Sequence, residues 1–287
     1  MPEGDTIFRS ARTLKAALAG RTVTGFRTVL AHLARVHDDR PLTGRTVDDV
    51  VSRGKHILMY FSGDLILRTH MRMHGTWHLY RPGERWKQPG RDMRLVIATD
   101  AVEAVAFRVP VAEFRTADTL ERDDVIQSLG PDLLDDAADL DVAVARLRAL
   151  GQAPLGEALL NQRAVAGIGN VFKSEVCFVA RLSPAIPVGG IDEASLRRVL
   201  EIARQQLRAN VPDAGASSLM MWKGGRRTTR SANPAQALWV YGRAGLPCRR
   251  CATPIEVVAQ GLDARLTYWC PVCQRDGLQT PEVGPRK

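Results

Sequence analysis

Segment 247–274 of the chain reads PCRRCATPIEVVAQGLDARLTYWCPVCQ and contains four of the five cysteines. They form two C-x2-C pairs separated by 18 residues: Cys248, Cys251, Cys270 and Cys273. Two intervening residues let one tight turn aim both thiolates at the same ion, and this spacing is typical of a four-thiolate zinc site. Because so short a segment cannot build a hydrophobic core unaided, we expect one structural Zn²⁺ to supply much of its folding free energy. The alternative, two disulfides or buried thiols, is disfavoured if the chain is cytosolic, as we expect.

Upstream of the cysteines, apolar residues recur with the spacing of helices. Segments 140–150, 155–163 and 194–210 read LDVAVARLRAL, LGEALLNQR and ASLRRVLEIARQQLRAN. The last of these predicts an amphipathic helix whose buried stripe consists of Leu196, Val199, Leu200, Ala203 and Leu207. Cys177, the fifth cysteine, lies in the apolar run VCFVA and is interpreted as a buried structural thiol.

In the N-terminal third, the hydrophobic residues follow the pattern of strands rather than that of helices. Residues 21–115 contain short runs rich in Val, Ile, Thr and aromatic residues, punctuated by turns that contain Gly and Asp. Such closely spaced strands indicate a β-sandwich or barrel. Before them, residues 6–18 predict a helix with one apolar face: Ile7, Ala11, Leu14 and Leu18. The chain as a whole therefore predicts an α+β multidomain protein.

Composition narrows the class of partner. The chain has 287 residues, of which 45% are hydrophobic, and its 40 basic against 31 acidic residues give a net charge of +9. No apolar run approaches the length of a membrane span, and the first residues do not resemble a secretory signal. Nine acids lie in residues 118–141, whereas residues 214–255 contain seven bases and no acid. This sorting favours one acidic solvated face and one side that binds a polyanion, with two ordinary solvated surfaces as the alternative.

The N-terminus offers a candidate nucleophile. After removal of Met1, the secondary amine of Pro2 would be the terminal group, and an α-amino group titrates near pH ~8, so a useful fraction is uncharged at neutral pH. Such an amine can form an imine, and Glu3 beside it could transfer protons. On its own this signal is weak, because many proteins start with Met-Pro, and the pattern by itself favours an ordinary frayed terminal segment.

Five segments together resemble the formamidopyrimidine-DNA glycosylase/endonuclease VIII family: MPEG at 1–4, RGK at 53–55, NQRAVAGIGNVFKSE at 161–175, VYGRAGLPCRRC at 240–251 and RLTYWCPVCQ at 265–274. The resemblance implies a bifunctional glycosylase of base-excision repair that also cleaves the abasic strand. It implies an N-terminal β-sandwich with a leading helix, a helix-two-turn-helix domain and a C-terminal four-cysteine zinc finger. The expected divisions are a catalytic domain at 1–118, an acidic linker at 119–141, the helical domain at 142–241, the zinc finger at 242–276 and a tail at 277–287.

The resemblance also implies roles for single residues. Pro2 matches the nucleophile and Glu3 the acid that helps to open the sugar ring. Lys55 matches a lysine that contacts phosphate near the lesion, and it is counted with the catalytic residues. Asn170 and Arg265 match phosphate-binding residues, and a helix that starts at Val171 would offer free N–H groups to an anion.

The family fills the void left by the flipped nucleotide with side chains from strand loops. Met73 is the best candidate for this wedge, with Arg72 and His74 beside it, although a core methionine is the competing interpretation.

Three departures from the family pattern stand out, of which the first concerns base release and the lyase outcome and the other two concern specificity. Asp5 and Thr6 occupy positions where the family commonly has Pro-Glu. Segment 108–114, RVPVAEF, lacks the Arg-Arg pair that reads the opposite base in the 8-oxoguanine branch. MPEG rather than MPEL favours the endonuclease VIII branch, and hence oxidised pyrimidines over 8-oxoguanine.

The partner expected from these features is damaged double-stranded DNA, with single-stranded DNA as a further candidate. We expect a monomer without membrane contact, cytoplasmic and associated with the bacterial nucleoid. Two alternatives are a non-catalytic protein that binds damaged DNA and a zinc-ribbon protein that binds RNA.

Overall fold

The computed structural model describes residues 2–211, 225–229 and 231–274. The described residues divide into two compact units. The first contains residues 2–138, 207–211 and 225, and the second contains residues 139–206, 226–229 and 231–274. The expected tail at 277–287 and the part of the basic stretch at 214–224 lie outside the described residues.

The first unit is built mainly from antiparallel strands. In chain order they are β1 (Gly25–Thr28), β2 (Val47–Arg53), β3 (His56–Phe61), β4 (Leu65–His70), β5 (Thr76–Tyr80), β6 (Met93–Ala98), β7 (Glu103–Phe107) and β8 (Val111–Arg115). Among the described residues they form two four-stranded sheets, with the orders β1-β6-β7-β5 and β2-β3-β4-β8.

One hydrophobic cluster draws side chains from both sheets and from the leading helix α1 (Gly4–Leu18). Ile57 and Leu67 enter it from one sheet, and Trp77 and Ile97 enter it from the other, all at 0% exposure. The predicted stripe of α1 is buried against the same cluster. The β-sandwich with a leading helix is therefore confirmed, and the barrel alternative is not adopted.

Several elements of this unit were not predicted, among them one helix and one strand. Helix α2 (Ala31–Asp39) has Leu33 as its buried residue, so its apolar stripe is too thin to show as a period in the sequence. Strand β8 reads VAEFR, a mixed segment whose strand conformation depends on pairing with β4, in the register Leu67 opposite Phe114.

The acidic segment 118–141 overlaps helix α3 (Ala117–Glu121) and contains helix α4 (Asp124–Gln127). Leu120 and Ile126 from these helices pack with Leu58 and Ile66 on the face of β3 and β4 that does not enter the main cluster. The apolar residues between the acids thus attach the segment to the sandwich, while most of the acids remain exposed.

The second unit is helical and ends in a hairpin. Its elements are α5 (Leu140–Arg148), α6 (Leu155–Ala158), α7 (Asn170–Ala180), α8 (Glu193–Ala209, which ends in the first unit), β9 (Glu256–Gln260) and β10 (Arg265–Trp269). The predicted stripe of α8 is buried along its whole length, as expected. No described helix is both long enough and apolar enough to cross a membrane.

Candidate active site and metal centre

Pro2 and Glu3 lie at the start of α1. Pro2 is half-buried, whereas Glu3 is fully buried and occupies the N-cap position, with its carbonyl accepting a hydrogen bond from Ile7 N at 3.0 Å. At the other end of the helix, Lys15 Nζ lies 2.7 Å from Asp49 Oδ1 near the start of β2. Because α1 packs along β2, its N-terminus points toward the end of that strand.

The end of β2 is a two-residue turn formed by Gly54 and Lys55. Arg53 and His56 are paired in the β2–β3 ladder, and Gly54 has φ 58°. A positive φ at the first central residue of a two-residue hairpin favours glycine. The turn therefore presents Lys55 at the same end of the sheet toward which Pro2 and Glu3 point.

The turn between β4 and β5 lies at this end as well, because His56 pairs with His70. Within it, Met71 is buried at 1% exposure, whereas Met73 is 47% exposed. Gly75 N donates to Met71 O at 2.9 Å, and a methyl group at Gly75 would lie 2.5 Å from that carbonyl oxygen. The structure thus has a core methionine at 71, while Met73 projects from a tight turn, as a wedge requires.

A pair of histidines supports both turns. The rings of His56 and His70 are 4.6 Å apart, and His70 Nδ1 accepts the N–H of Arg72 at 3.0 Å. Burial lowers the pKa of His56 to about 3, with His70 and Arg68 adding to the effect. Burial lowers the pKa of His70 to about 4, and the charges of Arg72 and Lys55 add to it. Both imidazoles are consequently neutral at pH 7, which leaves His70 Nδ1 able to accept a hydrogen bond.

Asp5 and Thr6, the departures from the family pattern, lie in the first turn of α1. The Asp5 side chain is fully buried, and its Oδ2 lies 3.4 Å from Arg9 Nη2. Thr6 Oγ1 donates to Asp5 Oδ1 at 3.3 Å. The carboxylate at position 5 is thus held by its own helix.

Asn170 and Arg265 lie in the second unit, and the structure brings their segments together. Asn170 is the first residue of α7, and its Nδ2 donates to Leu266 O at 2.9 Å, one residue after Arg265. Asn170 Oδ1 is buried without a hydrogen-bond partner in the described residues. Arg265 is 39% exposed and pairs with Asp263 at 3.3 Å.

Two further residues of α7 bind the hairpin. Lys173 is fully buried, and its Nζ lies 2.5 Å from Thr267 Oγ1. Tyr268 N donates to Ser174 Oγ at 3.3 Å. Sequence reasoning did not single out Lys173, although a lysine two residues after the predicted helix start at Val171 was a usable signal.

Glu175 anchors the chain that leads into the cysteines. Its carboxylate is fully buried and accepts the N–H groups of Trp239, Val240 and Tyr241 at 2.8–2.9 Å, together with the hydroxyl of Thr228. A carboxylate with several N–H donors holds a segment firmly, because charge-assisted hydrogen bonds are stronger than neutral ones.

The four cysteines converge on one point, with their sulfur atoms all within 4.8 Å of one another. Cys248 and Cys273 are 3.9 Å apart, and Cys251 and Cys270 are 3.5 Å apart. Tetrahedral zinc with Zn–S bonds of about 2.3 Å requires sulfur separations of about 3.8 Å, so the set fits a four-thiolate ion. Cys177 lies apart from the cluster, fully buried as expected, and burial raises the pKa of its thiol to about 12.

Arginines of the basic stretch contact the protein itself. Arg249 donates to Leu238 O at 3.0 Å and to Ala235 O at 2.8 Å. Arg250 donates to Phe178 O at 2.8 Å, and its guanidinium lies 4.2 Å from the centre of the Phe178 ring. These two side chains connect the first cysteine pair to α7 and to segment 235–238. Their positive charges therefore have a structural role besides any binding of a polyanion.

Family models match three parts of the chain: the formamidopyrimidine-DNA glycosylase N-terminal domain at residues 1–111, the formamidopyrimidine-DNA glycosylase H2TH domain at 129–221, and the zinc finger found in FPG and IleRS at 245–275. Each model covers one domain of the organisation that the sequence predicts.

Relatives match over nearly the whole length. A probable endonuclease 8 2 of Streptomyces coelicolor is 43% identical over 98% of this chain and 96% of its own. The DNA-(apurinic or apyrimidinic site) lyase Nei2 of Mycolicibacterium smegmatis is 39% identical over 96% of this chain and 99% of its own. A crystal structure of Lactococcus lactis Fpg with DNA that contains an oxidised pyrimidine has the same fold, with a TM-score of 0.80 and 22% identity over 96% of this chain and 100% of that one. The chain therefore belongs to the formamidopyrimidine-DNA glycosylase/endonuclease VIII family of DNA repair enzymes.

Proposed function

We propose that the chain is a bifunctional DNA glycosylase and AP lyase that excises oxidised bases through a Schiff base on Pro2. The observation that carries the proposal is the fully buried Glu3 next to Pro2, whose nitrogen becomes the terminal amine once Met1 is removed, on the helix that leads to the end of the sheet where Lys55 and Met73 lie. The homologues named endonuclease 8 and AP lyase support the same reaction class.

In the proposed reaction, the Pro2 nitrogen attacks C1′ of the damaged nucleotide, and the base leaves with the electron pair of the glycosidic bond. Opening of the sugar gives an iminium, and Glu3 supplies the proton to the ring oxygen. The iminium acidifies C2′–H, so loss of that proton expels the 3′-phosphate and breaks the strand. Burial of Glu3 suits a group that transfers a proton out of contact with bulk water.

The remaining roles concern DNA. Lys55, Asn170 and Arg265 bind phosphates around the lesion, and Met73 fills the gap that the flipped nucleotide leaves. Asn170 and Arg265 would act as one unit, because the side chain of the first binds the main chain beside the second. The expected substrate is damaged duplex DNA, with a single-stranded oligonucleotide as a comparison.

The lesion preference belongs to the same proposal. Phe114 lies in β8, where its ring packs 5.7 Å from the Phe26 ring and against the sandwich core, rather than in a loop that could read an opposite base. Together with the absence of an Arg-Arg pair in 108–114, this favours oxidised pyrimidines over 8-oxoguanine.

The metal is proposed to be a single structural Zn²⁺ held by the four cysteines, whose sulfur separations match that ion. We also propose that the enzyme works as a monomer in the cytoplasm, at the nucleoid.

Borohydride reduction tests the mechanism directly. The protein should become covalently attached to duplexes that carry an abasic site or an oxidised pyrimidine, because borohydride reduces the iminium. Glu3→Gln should slow base release by roughly 10²–10⁴-fold, the usual contribution of a positioned acid. Asp39→Asn, which changes an exposed carboxylate on α2, is the matched control and should react at the wild-type rate.

Pro2→Ala should react much more slowly, although its primary amine can still form an imine. Undiminished trapping of Pro2→Ala, or no trapping of the wild-type protein after removal of Met1, would contradict the assigned nucleophile.

The second candidate is a protein that binds damaged DNA without cleaving it. It is favoured by one observation: Thr6 stands where the family commonly has a carboxylate, and Asp5 is engaged with Arg9. This candidate predicts binding to lesion-containing duplexes without strand cleavage, and binding that is insensitive to Glu3→Gln.

A further inference from the structure

Asp132 makes a long-range contact that the mechanism has not used. Its Oδ2 accepts the N–H of Gly54 at 2.8 Å, although the two residues are 78 positions apart. Its Oδ1 accepts the N–H of Leu134 at 3.0 Å, which closes a local turn in the acidic segment. One carboxylate therefore joins the acidic segment to the tip of the β2–β3 hairpin.

The Gly54 N–H needs such an acceptor. Gly54 is buried, and it lies outside the β2–β3 ladder, whose last pair is Arg53 and His56. A buried main-chain donor is nearly always paired in folded proteins, because leaving it unpaired is costly. Asp132 supplies the partner and so fixes the orientation of the Arg53–Gly54 peptide, at the entry to the turn that carries Lys55.

The surroundings of Asp132 keep the carboxylate in place. Leu133 and Leu134 beside it are buried, which anchors the main chain of this part of the acidic segment. Burial raises the pKa of Asp132, against which the hydrogen bonds from Leu134 and Gly54 act to lower it. Arg53 and Asp135 are the charged groups that also face it.

We propose that Asp132 is a positioning residue that holds the Gly54–Lys55 turn in the shape that presents Lys55 to a DNA phosphate. The inference rests on the proposed function, because it assumes that Lys55 contacts phosphate. It does not make Asp132 a catalytic residue, since the carboxylate acts through the main chain of the turn.

A double-mutant cycle tests this positioning role. The ligand is a duplex with a tetrahydrofuran abasic analogue, and binding is measured across a range of salt concentrations. Lys55→Ala should weaken binding roughly tenfold and reduce the slope of log K against log salt by about one, the signature of one lost phosphate contact. Asp132→Ala should reproduce most of both effects, and Asp132→Asn, which keeps one acceptor oxygen, should produce less.

The decisive comparison combines the substitutions. When Lys55 is already alanine, changing Asp132 to alanine or asparagine should cost no further affinity. If either Asp132 variant weakens binding equally with and without Lys55, or if neither weakens it, the proposal is overturned. If Asp132→Ala does not fold by circular dichroism, the isosteric Asp132→Asn decides by the same two criteria.

Asp136→Ala is the matched control, because that carboxylate lies in the same acidic segment but pairs with Arg208. It should leave affinity and salt slope unchanged. Failure of the proposed function has a different signature: the wild-type protein would show no covalent trapping, and Lys55→Ala would not alter the salt slope.

Discussion

The acidic segment 118–141 and the basic segment 225–255 carry opposite charges, yet the structure uses both to satisfy main-chain groups. In the first, Asp123, Asp132 and Asp139 accept N–H groups. In the second, Arg249 and Arg250 donate to carbonyl oxygens. The net charge counted from the sequence therefore overstates the charge that can bind a polyanion, because some of the charged side chains already bind main-chain groups of the protein.

The two segments differ in how far along the chain their side chains find hydrogen-bond partners. Asp139 caps its own helix, with acceptor contacts two and three residues away, whereas Arg250 reaches Phe178 O, 72 residues away. In the acidic segment, Asp132 is the exception, because it also accepts the N–H of Gly54, 78 positions away. Removing a typical acid of the first segment should thus have a local effect, and removing an arginine of the second should loosen the contact between elements.

Loss of the metal should have the largest effect on stability, because it should unfold the part of the basic segment that contains the cysteines. Cys248→Ser should abolish stoichiometric zinc and unfold the hairpin module, because structural zinc contributes on the order of 10 kcal/mol or more. Metal content and circular dichroism measure this. Cys177→Ala is the matched control, since that thiol lies apart from the cluster, and its zinc content should stay at wild type. Full zinc binding by Cys248→Ser would contradict the four-thiolate site.

Asp123 is a further acid of this segment whose removal should have more than a local effect. Its side chain is 6% exposed, and it pairs with Arg68 at 3.4 Å and Arg115 at 3.3 Å in addition to capping α4. Asp123→Asn should destabilise the sandwich by about 2–4 kcal/mol at pH 7, because the arginines lose a buried partner. Urea unfolding measures the change, with the exposed Asp124→Asn as control.

The pH dependence gives Asp123 a second signature. Burial by itself would raise the pKa of this carboxyl, but Arg68, the N–H groups of the helix cap and Arg115 together hold it below its usual value. Its stabilisation is therefore complete above the unfolded-state pKa of about 3.9 and is lost as pH falls through the lower folded pKa. The stability difference between wild type and Asp123→Asn should accordingly shrink below pH ~4. A difference that grows on acidification would contradict this assignment.

Arg250→Met should have an intermediate effect, about 1–2 kcal/mol, because it removes a charged hydrogen bond and a cation–π contact from a partly exposed position. Methionine keeps some of the apolar packing on Phe178. The exposed Arg85→Met removes the same charge elsewhere and is the control. Equal losses of stability for the two variants would mean that Arg250 acts through net charge alone.

The sequence predicted those features that depend on local spacing. The cysteine pairs come together as expected, and the apolar stripes of α1 and α8 are buried residue for residue. In both cases the information lies in the spacing of residues that are close together in the sequence. Met73 is exposed, whereas Met71 is buried, and the wedge role of Met73 stays a prediction.

Long-range contacts were beyond prediction. Asn170 binds Leu266 O across 96 positions, and Asp132 binds Gly54 N across 78. Which acid meets which N–H depends on how the sheets and helices pack, and no local pattern encodes it. The same limit applies to β8, whose strand conformation follows from pairing with β4.

The smallest expected effect separates capping from charge within the acidic segment. Asp139 caps α5 through Asp141 N at 2.8 Å, whereas Asp118 forms an exposed i,i+4 pair with Arg122 at 2.6 Å. Asp139→Ala should cost about 1 kcal/mol, the usual value of a helix cap, and Asp118→Ala should cost less than ~0.5 kcal/mol. Both substitutions remove one negative charge from the same segment, so net charge cannot distinguish them. Urea midpoints that shift equally for the two variants would mean that charge, rather than main-chain capping, is what the acids contribute.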